Sequence, residues 1–359
     1  MAGFLLAAFL FGILASLLGG KAASQRFAAR PLYKDDRRVV IEPLAKIGGD
    51  DLDKPEYFFG YISDFFIDLS DNIYILDVKN GYARKFSPEG RYLGIIGKGL
   101  GQGPGEFMQA SQIGVDQGGE VYIGDRSTRK ISVFDSQGIF VNSFPLTKIA
   151  PASSIALDLS GRLFVGVDPL YISAGIWRKG AYQVYSGHGL LIGGFGESID
   201  SRDAEINIGA NSIHVNAIGG DVIISYAMPY RIEIYTNELR MKLKFGRLCE
   251  EYARTIKIDG VRYSCGSSYR VTSLSDGKIV NLIRCVDDTK VAGNINVINF
   301  LDVFDDKGNF LMSIPGRRFN QNCNDIRGMR ADRQGHLYLV YEDPYPYIEK
   351  YRISFLNAN

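Results

Sequence analysis

The feature that most constrains the fold of this chain is a segment that recurs six times. Each copy has a tight turn of Gly, Asp, Asn or Ser, followed by three or four residues that favour β-structure. The copies occupy residues 67–77, 115–125, 157–167, 216–226, 272–282 and 330–340. They begin 42 to 59 residues apart, which is within or somewhat above the period of one four-stranded propeller blade. The repeat therefore predicts an all-β, six-bladed β-propeller.

A second strand follows the first one in most copies and alternates apolar and polar residues. Examples are KISVFD at residues 130–135, RIEIYT at residues 231–236 and YIEKYR at residues 347–352. A period of two indicates a strand with one face better covered than the other. In several copies a further turn leads into a third apolar stretch. Together with the strand before each turn, every unit is expected to form four antiparallel strands.

The sixth unit lacks its last strand. Only six residues follow Ile353, too few for a turn and a full outer strand. The segment VVIEPLAKIGG, residues 39–49, precedes the first unit and ends in the same Ile-Gly as GIIG at residues 94–97. We expect this N-terminal segment to complete the sixth blade and close the ring, which removes the worst of the exposed strand edges. Residues 39–359 are thus predicted to form a single propeller domain.

A glycine-rich stretch, GKGLGQGPGEF at residues 97–107, has the composition of a phosphate-binding loop. A dinucleotide loop needs its glycines between a strand and a helix, and a P-loop needs Gly-Lys-Ser/Thr. Here a short strand, a turn and another strand follow instead. We interpret the stretch as a crossover between blades, in which glycine permits positive φ and close backbone packing.

The N-terminus and the cysteines favour an exported protein. Residues 2–20 carry no charge and small residues follow them, as expected of a cleaved signal peptide, although the run is also long enough to be a membrane anchor. We expect residues 1–24 to be one of these, residues 25–38 to be a linker, and the protein to be periplasmic, in the cell envelope or extracellular. The even number of cysteines then favours disulfides, with the pairing left open, among Cys249, Cys265, Cys285 and Cys323.

The charge balance restricts the partners. There are 41 basic and 40 acidic residues, so the chain has no bulk field that would attract nucleic acid or an anionic membrane surface. We therefore expect no nucleic-acid partner and membrane contact only through the N-terminal segment. A protein, peptide or glycan is the expected class of ligand.

Residues 96–141 resemble an NHL repeat. They run from a Gly-rich lead through Gly-Glu-Phe and GEVYIGD to the basic-Ile-x-Val-Phe-Asp strand KISVFD. Residues 62–97 are a second good copy, with Asp77, Asn80 and Phe86 at matching positions, whereas the other four copies match in spacing and polarity only. Over residues 39–353 the chain is similar to six-bladed propellers exported by gut-type bacteria, many without assigned activity. The resemblance implies a binding platform, and more distant six-bladed propellers include calcium-dependent lactonases and a zinc-dependent amidating lyase.

Candidate binding residues lie at one end of the predicted propeller. In a four-stranded blade the start of the inner strand and the exit of the second strand meet at the same end, which we call the loop-rich end. Loops on a rigid scaffold commonly carry binding groups, and we expect a ligand site there that includes Asp64, Asn211, His214, Arg270, Asp325 and Arg327. The favoured hypothesis is a non-catalytic binding module without a cofactor.

The alternative hypothesis is a metal-dependent hydrolase or lyase at the tunnel mouth. Calcium needs six or more converging oxygens, and a calcium site could begin with Asp64, Asn211 and Asp325. Other aspartates favour structural roles, because an aspartate at a strand end commonly accepts backbone N–H bonds from the next turn. We expect this of Asp77 and Asp125, and expect turn formation by Asp68, Asp116 and Asp158. The aromatic segment at residues 341–351 fits either a binding groove or, as we favour, packing between blades.

Overall fold

Six four-stranded antiparallel sheets make up the body of the protein in the computed structural model, as the repeat predicted. The structure describes residues 24–29, 39–49, 54–146, 154–166, 180–196, 208–215, 220–228, 230–248, 255–258, 261–264, 267–286, 297–321 and 325–356. Two strands precede the first blade along the chain, namely β1 (Ser24–Ala29) and β2 (Val39–Gly48). Among the described residues the helical structure is limited to short 3-10 turns at Pro55–Tyr57 and Gly316–Arg318.

Blades 1 to 3 each run from the inner to the outer strand in chain order. Blade 1 contains β3 (Ile62–Ile67), β4 (Ile73–Asp77), β5 (Tyr82–Phe86) and β6 (Tyr92–Ile96). Blade 2 contains β7 (Ala110–Val115), β8 (Val121–Asp125), β9 (Lys130–Phe134) and β10 (Phe140–Pro145). Blade 3 contains β11 (Ile155–Leu157), β12 (Leu163–Gly166), β13 (Tyr182–Tyr185) and β14 (Leu191–Phe195).

Blades 4 to 6 follow the same order. Blade 4 contains β15 (Ile208–Val215), β16 (Val222–Met228), β17 (Arg231–Tyr235) and β18 (Met241–Leu248). A hairpin of β19 (Thr255–Ile258) and β20 (Val261–Ser264) leads to blade 5, with β21 (Ser267–Ser273), β22 (Ile279–Val286), β23 (Val297–Phe304) and β24 (Phe310–Pro315). Blade 6 contains β25 (Gly328–Ala331), β26 (Leu337–Tyr341), β27 (Tyr347–Phe355) and the N-terminal strand β2.

The predicted closure of the ring, in which the N-terminal strand pairs with the last strand of the chain, is confirmed. Strand β2 pairs antiparallel with β27, from Val39 opposite Phe355 to Gly48 opposite Tyr347. Pro43 lies at a register shift in this pairing and is tolerated because β2 is an edge strand, where a missing N–H breaks no inner ladder. The inner strands of successive blades contact one another around the ring, and β25 contacts β3. The six blades therefore form a closed circle.

Strand β1 was not expected. It pairs in parallel with β18, from Ser24 opposite Leu243 to Ala29 opposite Leu248, and so adds a fifth strand to the outer edge of blade 4. It occupies the first part of the segment that we assigned to a linker, residues 25–38. An unpaired edge strand offers backbone groups to any extended segment, and here the chain supplies that segment itself.

The hydrophobic core lies between the blades. Within the described residues, six clusters of buried aliphatic and aromatic side chains fill the spaces between neighbouring sheets. Second strands of the blades are covered on both faces, and every residue of β4, β8 and β26 is buried. This explains why the sequences of these second strands are nearly continuous apolar runs. Outer strands such as β6 remain partly exposed.

Several sequence predictions concern local structure and are confirmed. Asp68 Oδ1 accepts backbone N–H bonds from Ser70 and Asn72 at 2.8 and 2.9 Å, and Asp158 Oδ1 accepts the equivalent bonds from Ser160 and Arg162. Asp116 receives the N–H of Glu120 at 2.8 Å. These aspartates therefore form the turns that join inner and second strands.

The glycine-rich stretch at residues 97–107 is a crossover between blades 1 and 2, as predicted. It connects β6 to β7 and is held by backbone bonds from Lys98 N–H to Gly105 O and from Phe107 N–H to Gly99 O, at 2.8 and 3.1 Å. Gly97 has φ +101, and a Cβ there would lie 2.9 Å from the Phe107 ring. Glycine is thus required for both backbone conformation and packing.

Two predictions fall on residues that the structure does not describe. Residues 1–23, with the apolar run, lie outside the described part, as do Cys249, Cys265 and Cys323, while Cys285 is described only by its backbone in β22. The signal peptide or anchor and the disulfides therefore stay predictions. In the described ranges no helix has the length and apolarity needed to cross a membrane.

Candidate functional site

Side chains of the inner strands join neighbouring blades to each other. Asp64 Oδ2 accepts the Ile113 N–H at 3.1 Å, and the Ser212 hydroxyl oxygen accepts the Val271 N–H at 3.2 Å. Thr272 makes the same kind of bond to Ala331 at 3.2 Å. Each bond runs from one blade to the next, so these polar residues satisfy inner-strand backbone groups that have no strand partner on that side.

Asp64 also forms a salt bridge across the junction of blades 1 and 6. Arg330, on the inner strand of blade 6, places Nη2 3.3 Å from Asp64 Oδ1 and donates from Nε to the carbonyl oxygen of Phe65. Asp64 is 6% exposed. A buried carboxylate and a nearby guanidinium compensate each other, and either one alone would be costly to keep. Asp64 therefore joins blades 1, 2 and 6, a role that its sequence position did not reveal.

A constriction of the central tunnel brings several predicted residues together. All six blades line it, and its polar lining is Asp64, Gln112, Ser154, Ser212, Arg270 and Arg330. Its volume is about 10 Å³, roughly what a single water molecule requires. Asp64 and Arg270 therefore line the same section of the tunnel. The space between them is too small for a substrate.

Two further predicted residues belong to a half-buried ionic cluster at the loop-rich end. Arg327 Nη2 lies 2.6 Å from Asp325 Oδ2, and Arg327 Nε lies 3.3 Å from Glu342 Oε2. Arg284, on β22, approaches Asp325 Oδ1 at 3.3 Å. The cluster thus holds two carboxylates and two guanidinium groups between blades 5 and 6.

Exposed aromatic side chains flank this cluster. Tyr61 is 39% exposed, and Phe58 and Tyr345 are similarly accessible, with ring centroids 5.6 Å apart. Burial, the charge of Glu342 and a hydrogen bond to Glu342 raise the pKa of Tyr61 above its usual value. We call this surface the loop-end patch, defined by Phe58, Tyr61, Asp325, Arg327, Glu342 and Tyr345.

The aromatic segment at residues 341–351 was considered either for a binding groove or for packing between blades, and its tyrosines differ in this respect. Tyr341, Tyr347 and Tyr351 are buried in the core, which confirms the favoured packing interpretation for those three. Tyr345 is the exposed member and contacts Phe58, with the two ring planes tilted by 57°. The sequence analysis missed Phe58 and Tyr61, although the run YFFGY at residues 57–61 stands directly before an inner strand and so has the position of a loop-rich-end segment.

His214 lies at the other end of the tunnel from the one predicted. It is the penultimate residue of β15 (Ile208–Val215), so it is close to the turn that follows the inner strand. Its Nε2 is 3.0 Å from the Ser273 hydroxyl oxygen of blade 5. Burial, together with the positive charge of Arg330, lowers the pKa of His214 to about 3. The residue is therefore neutral at physiological pH.

Asn211 and Arg270 complete the predicted set. Asn211 lies at a register shift between Ala210 and Ser212 in β15, and its side chain is outside the described part of the structure. Arg270 donates from Nη1 to the carbonyl oxygen of Tyr269 at 3.0 Å and places its guanidinium 4.7 Å from the Tyr269 ring centroid. Arg270 is thus fixed by its neighbour at the tunnel constriction.

The carboxylates proposed as calcium ligands are engaged with arginines. Asp64 is paired with Arg330, and Asp325 is paired with Arg284 and Arg327. Among the described side chains no group of three or more His, Cys, Asp or Glu residues is arranged to hold a metal ion. A calcium ion at either carboxylate would have to compete with a positively charged partner already in contact.

A cavity at the opposite end of the tunnel is lined by all six blades. We call this end the turn end, because the inner strands finish there in their aspartate turns. The cavity has a volume of about 100 Å³. Its lining includes Phe66, Leu69, Leu159, His214, Ser273, Leu274 and Arg330. The sequence analysis did not predict it, since its walls come from residues more than 200 positions apart.

Comparisons with known proteins agree with this architecture. The model of a protein family described as 6-bladed beta-propeller matches residues 69–245, from the first repeat turn to the outer strand of blade 4. No curated protein sequence matches the chain. The NHL-repeat resemblance is not addressed by the family match and stays a prediction.

Solved structures show the same fold at low sequence identity. A predicted exported protein from Bacteroides fragilis superposes with a TM-score of 0.61 and 12% identity, over 92% of this chain and 98% of that chain. A member of a family of unknown function from Bacteroides vulgatus gives a TM-score of 0.59 and 10% identity, over 88% and 99%. Hydrazine synthase from Kuenenia stuttgartiensis gives 0.53 and 12%, over 82% and 75%. At these identities the likeness concerns the fold alone, which the sheet order and the family match show to be a six-bladed β-propeller.

Proposed function

We propose that this protein is an exported, non-catalytic binding module that holds a polypeptide partner on the loop-end patch. The observation that carries the proposal is the presence of three accessible aromatic rings at this end: Phe58 and Tyr345 contact each other, and Tyr61 is hydrogen-bonded to Glu342 of the ionic cluster. Export rests on the uncharged apolar run at residues 2–20 and the small residues after it.

The composition of the patch favours a polypeptide over a glycan. Tyr, Phe and Arg are enriched at protein interfaces, and Tyr and Arg are frequent among the residues that dominate binding energy. The rings provide apolar area that loses little conformational entropy on binding. Arg327 and Glu342 offer a donor and an acceptor side by side, so the patch can pair with charged groups of either sign at the edge of an apolar contact.

The ionic cluster is suited to binding because it is assembled before a partner arrives. Arg327 is held between Asp325 and Glu342, and these side chains remain 25 to 31% exposed. A partner therefore meets charged groups whose rotamers are already restricted, which reduces the entropy lost on association. The same arrangement does not nominate a nucleophile or a general base, because each described carboxylate of the cluster already has an arginine partner.

The proposal is tested by selecting peptides from a displayed random library on the protein as it is recovered from its native cell. The strongest peptide is then titrated by calorimetry against wild type, the double variant Tyr61→Ser with Tyr345→Ser, and Tyr92→Ser. Tyr92 is a matched control because it is also 39% exposed but lies on outer strand β6. We expect the double variant to lose affinity at least about tenfold, equivalent to about 1.4 kcal/mol, and Tyr92→Ser to bind like wild type.

Two results would overturn this proposal. One is a selected peptide that binds the double variant as tightly as wild type. The other is a protein that selects no peptide but binds an immobilised glycan array in a manner lost in the double variant. The second result would replace the polypeptide with a carbohydrate ligand at the same patch.

Export is tested on the protein recovered from its native cell. N-terminal sequencing is expected to find a start near the small residues that follow residue 18, because signal peptidases cut after small side chains. Thiol titration of denatured, unreduced protein is expected to find fewer than four free thiols. A chain that starts at Met1 and carries four free thiols would contradict cleavage and disulfide formation together.

A further inference from the structure

We propose that the turn-end cavity is a binding site for a small uncharged organic molecule, a single ring carrying one hydroxyl or carbonyl group. This site lies at the opposite end of the tunnel from the loop-end patch, and nothing in the binding of a polypeptide at that patch requires it.

The size of the cavity limits the ligand to about one ring. Its volume is about 100 Å³, and a protein cavity of roughly 150 Å³ lined by apolar side chains is known to accept benzene. The walls contain Leu69, Leu159 and Leu274, which come from blades 1, 3 and 5. Leu274 is 6% exposed and Leu159 is 40% exposed, so the cavity has a covered wall and an open apolar rim.

Polar groups at one part of the lining provide hydrogen bonds. His214 Nε2 and the Ser273 hydroxyl are bonded to each other at 3.0 Å, and both line the cavity with Arg330. A neutral imidazole has one donor and one acceptor, and a hydroxyl has one donor and two lone pairs. After their mutual bond each therefore keeps capacity for a further hydrogen bond, which a ligand hydroxyl or carbonyl group can use.

The charges around the cavity are already compensated. Arg330 is paired with Asp64 at 3.3 Å. Asp158 accepts two backbone N–H bonds and the guanidinium of Arg162 at 2.6 Å. Asp332 accepts the N–H of Gln334 and is paired with Lys350 at 3.1 Å.

The other charged residues of the lining are Asp68, Asp116 and Arg333. Asp116 accepts the Glu120 N–H at 2.8 Å, and Arg333 Nε lies 3.9 Å from Asp71 Oδ1. Asp68 accepts four hydrogen bonds, from the N–H groups of Ser70 and Asn72, the Asn72 amide and the Tyr74 hydroxyl. A charged ligand would bring an additional charge into a partly desolvated site where each described charge is already engaged, and the transfer would be costly. An uncharged ring with one polar group meets no such penalty.

A phenol-type ring could come from a free molecule or from a tyrosine side chain of a partner protein, and the experiment separates these sources. Saturation-transfer NMR and calorimetry on the full chain use phenol, benzoate, benzylamine and a short tyrosine peptide as probes. We expect phenol to bind, and benzoate and benzylamine to bind at least about tenfold more weakly. The peptide is expected not to exceed phenol.

Two variants locate the binding. Leu159→Trp places a larger side chain at the rim and is expected to weaken phenol binding at least about tenfold. Leu190→Trp is the matched control, because Leu190 is 67% exposed and precedes outer strand β14, and it is expected to leave binding unchanged. The double variant of Tyr61 and Tyr345 is also expected to bind phenol normally, which separates this site from the loop-end patch.

Any of four outcomes would overturn the inference. They are no phenol binding to wild type, a charged probe that binds as tightly as phenol, binding by the tyrosine peptide alone, and phenol affinity that is unchanged in a correctly folded Leu159→Trp protein. Folding of each variant is checked by its thermal unfolding midpoint, so that a misfolded variant is replaced by Leu69→Trp at the same wall.

Discussion

The two ends of the propeller use acidic residues in different ways. At the turn end an aspartate follows the inner strand in blades 1, 2, 3 and 6, and in each case its carboxylate is bonded to the turn that it starts. At the loop-rich end Asp325 occurs once, outside the repeat, and it pairs with two partly exposed arginines. An aspartate that recurs in four of the six units serves the turn that these units share, whereas Asp325, which occurs once, is available for recognition.

Asp77 and Asp125 show that position alone does not make a residue functional. Both lie at the loop-rich end, yet both are fully buried. Asp125 accepts N–H bonds from Met108, Gln109 and Thr128 at 2.7 to 3.1 Å, and Asp77 binds the equivalent groups of Gly60, Tyr61 and Asn80. Each aspartate therefore binds both the segment before the inner strand and the turn after the second strand. The sequence analysis predicted the bonds to the turn.

The largest effect that would test this comparison is on stability. Asp125→Ala leaves three backbone N–H groups without their acceptor, and we expect a loss of about 3 to 5 kcal/mol in the free energy of unfolding. Asp325→Ala removes partly exposed ion pairs and is expected to cost about 1 kcal/mol or less. Urea unfolding of the two variants measures both values. Equal losses would show that the repeated and unrepeated aspartates do not differ as argued.

The second effect is a pH dependence that belongs to the turn end. His214 has a pKa of about 3 in the folded state and about 6.5 when unfolded. The unfolded chain therefore gains a proton that the folded chain does not, and stability falls as the pH drops from about 6.5 towards 3, by up to about 1.4 kcal/mol per pH unit. Above about pH 6.5 His214 is neutral in both the folded and the unfolded state, so it no longer lowers the free energy of unfolding.

Variants separate this histidine from the other titrating groups. His214→Gln is expected to flatten the dependence of unfolding free energy on pH between about 6.5 and 4.5. His188→Gln, which removes an exposed histidine in the turn before β14, is the control and should follow wild type. Parallel curves for wild type and His214→Gln would contradict the assignment.

A smaller effect distinguishes the loop-end patch. Burial, the negative charge of Glu342 and its hydrogen bond raise the pKa of Tyr61. Glu342→Gln removes the charge, so the Tyr61 phenol should lose its proton at lower pH than in wild type. The difference in ultraviolet absorbance between Glu342→Gln and Glu342→Gln with Tyr61→Phe isolates this one tyrosine. An upward shift of the Tyr61 pKa, or no shift, would contradict the interaction of Tyr61 with Glu342.

The smallest expected effect concerns calcium. Asp64 and Asp325 are paired with arginines, so millimolar calcium is expected to raise the unfolding midpoint by less than about 1 °C. Magnesium at the same concentration controls for ionic strength. A rise of several degrees with calcium alone, lost in Asp325→Asn, would revive the metal-dependent alternative.

The correct predictions were those that depend on repetition. Six turns, strands of period two and a missing last strand together required a closed ring, because a residue pattern that recurs fixes the same local structure each time. The turn roles of Asp68, Asp116 and Asp158 followed for the same reason. Pairing of β2 with β27 could be inferred because an incomplete blade and a surplus strand have only each other to satisfy their edges.

The candidate site was predicted less well because it depends on single residues. Asp64 was expected to face a ligand and instead pairs with Arg330, which is 266 positions away. His214 was placed at the wrong end of the tunnel, because β15 already begins at Ile208 and residue 214 therefore lies near the end of the inner strand and not at its start. Phe58 and Tyr61 were overlooked because an apolar run before an inner strand reads as core until its exposure is known.

The sequence by itself determined the number of blades, their four-stranded plan, the ring closure and the turn aspartates, because these depend on local propensity and on contacts repeated at a fixed spacing. Only the tertiary structure decided which charges are neutralised, which aromatic rings remain exposed and where the tunnel narrows or widens. Those properties arise from side chains contributed by different blades. Their distances are set by the closure of the whole ring and not by any one segment.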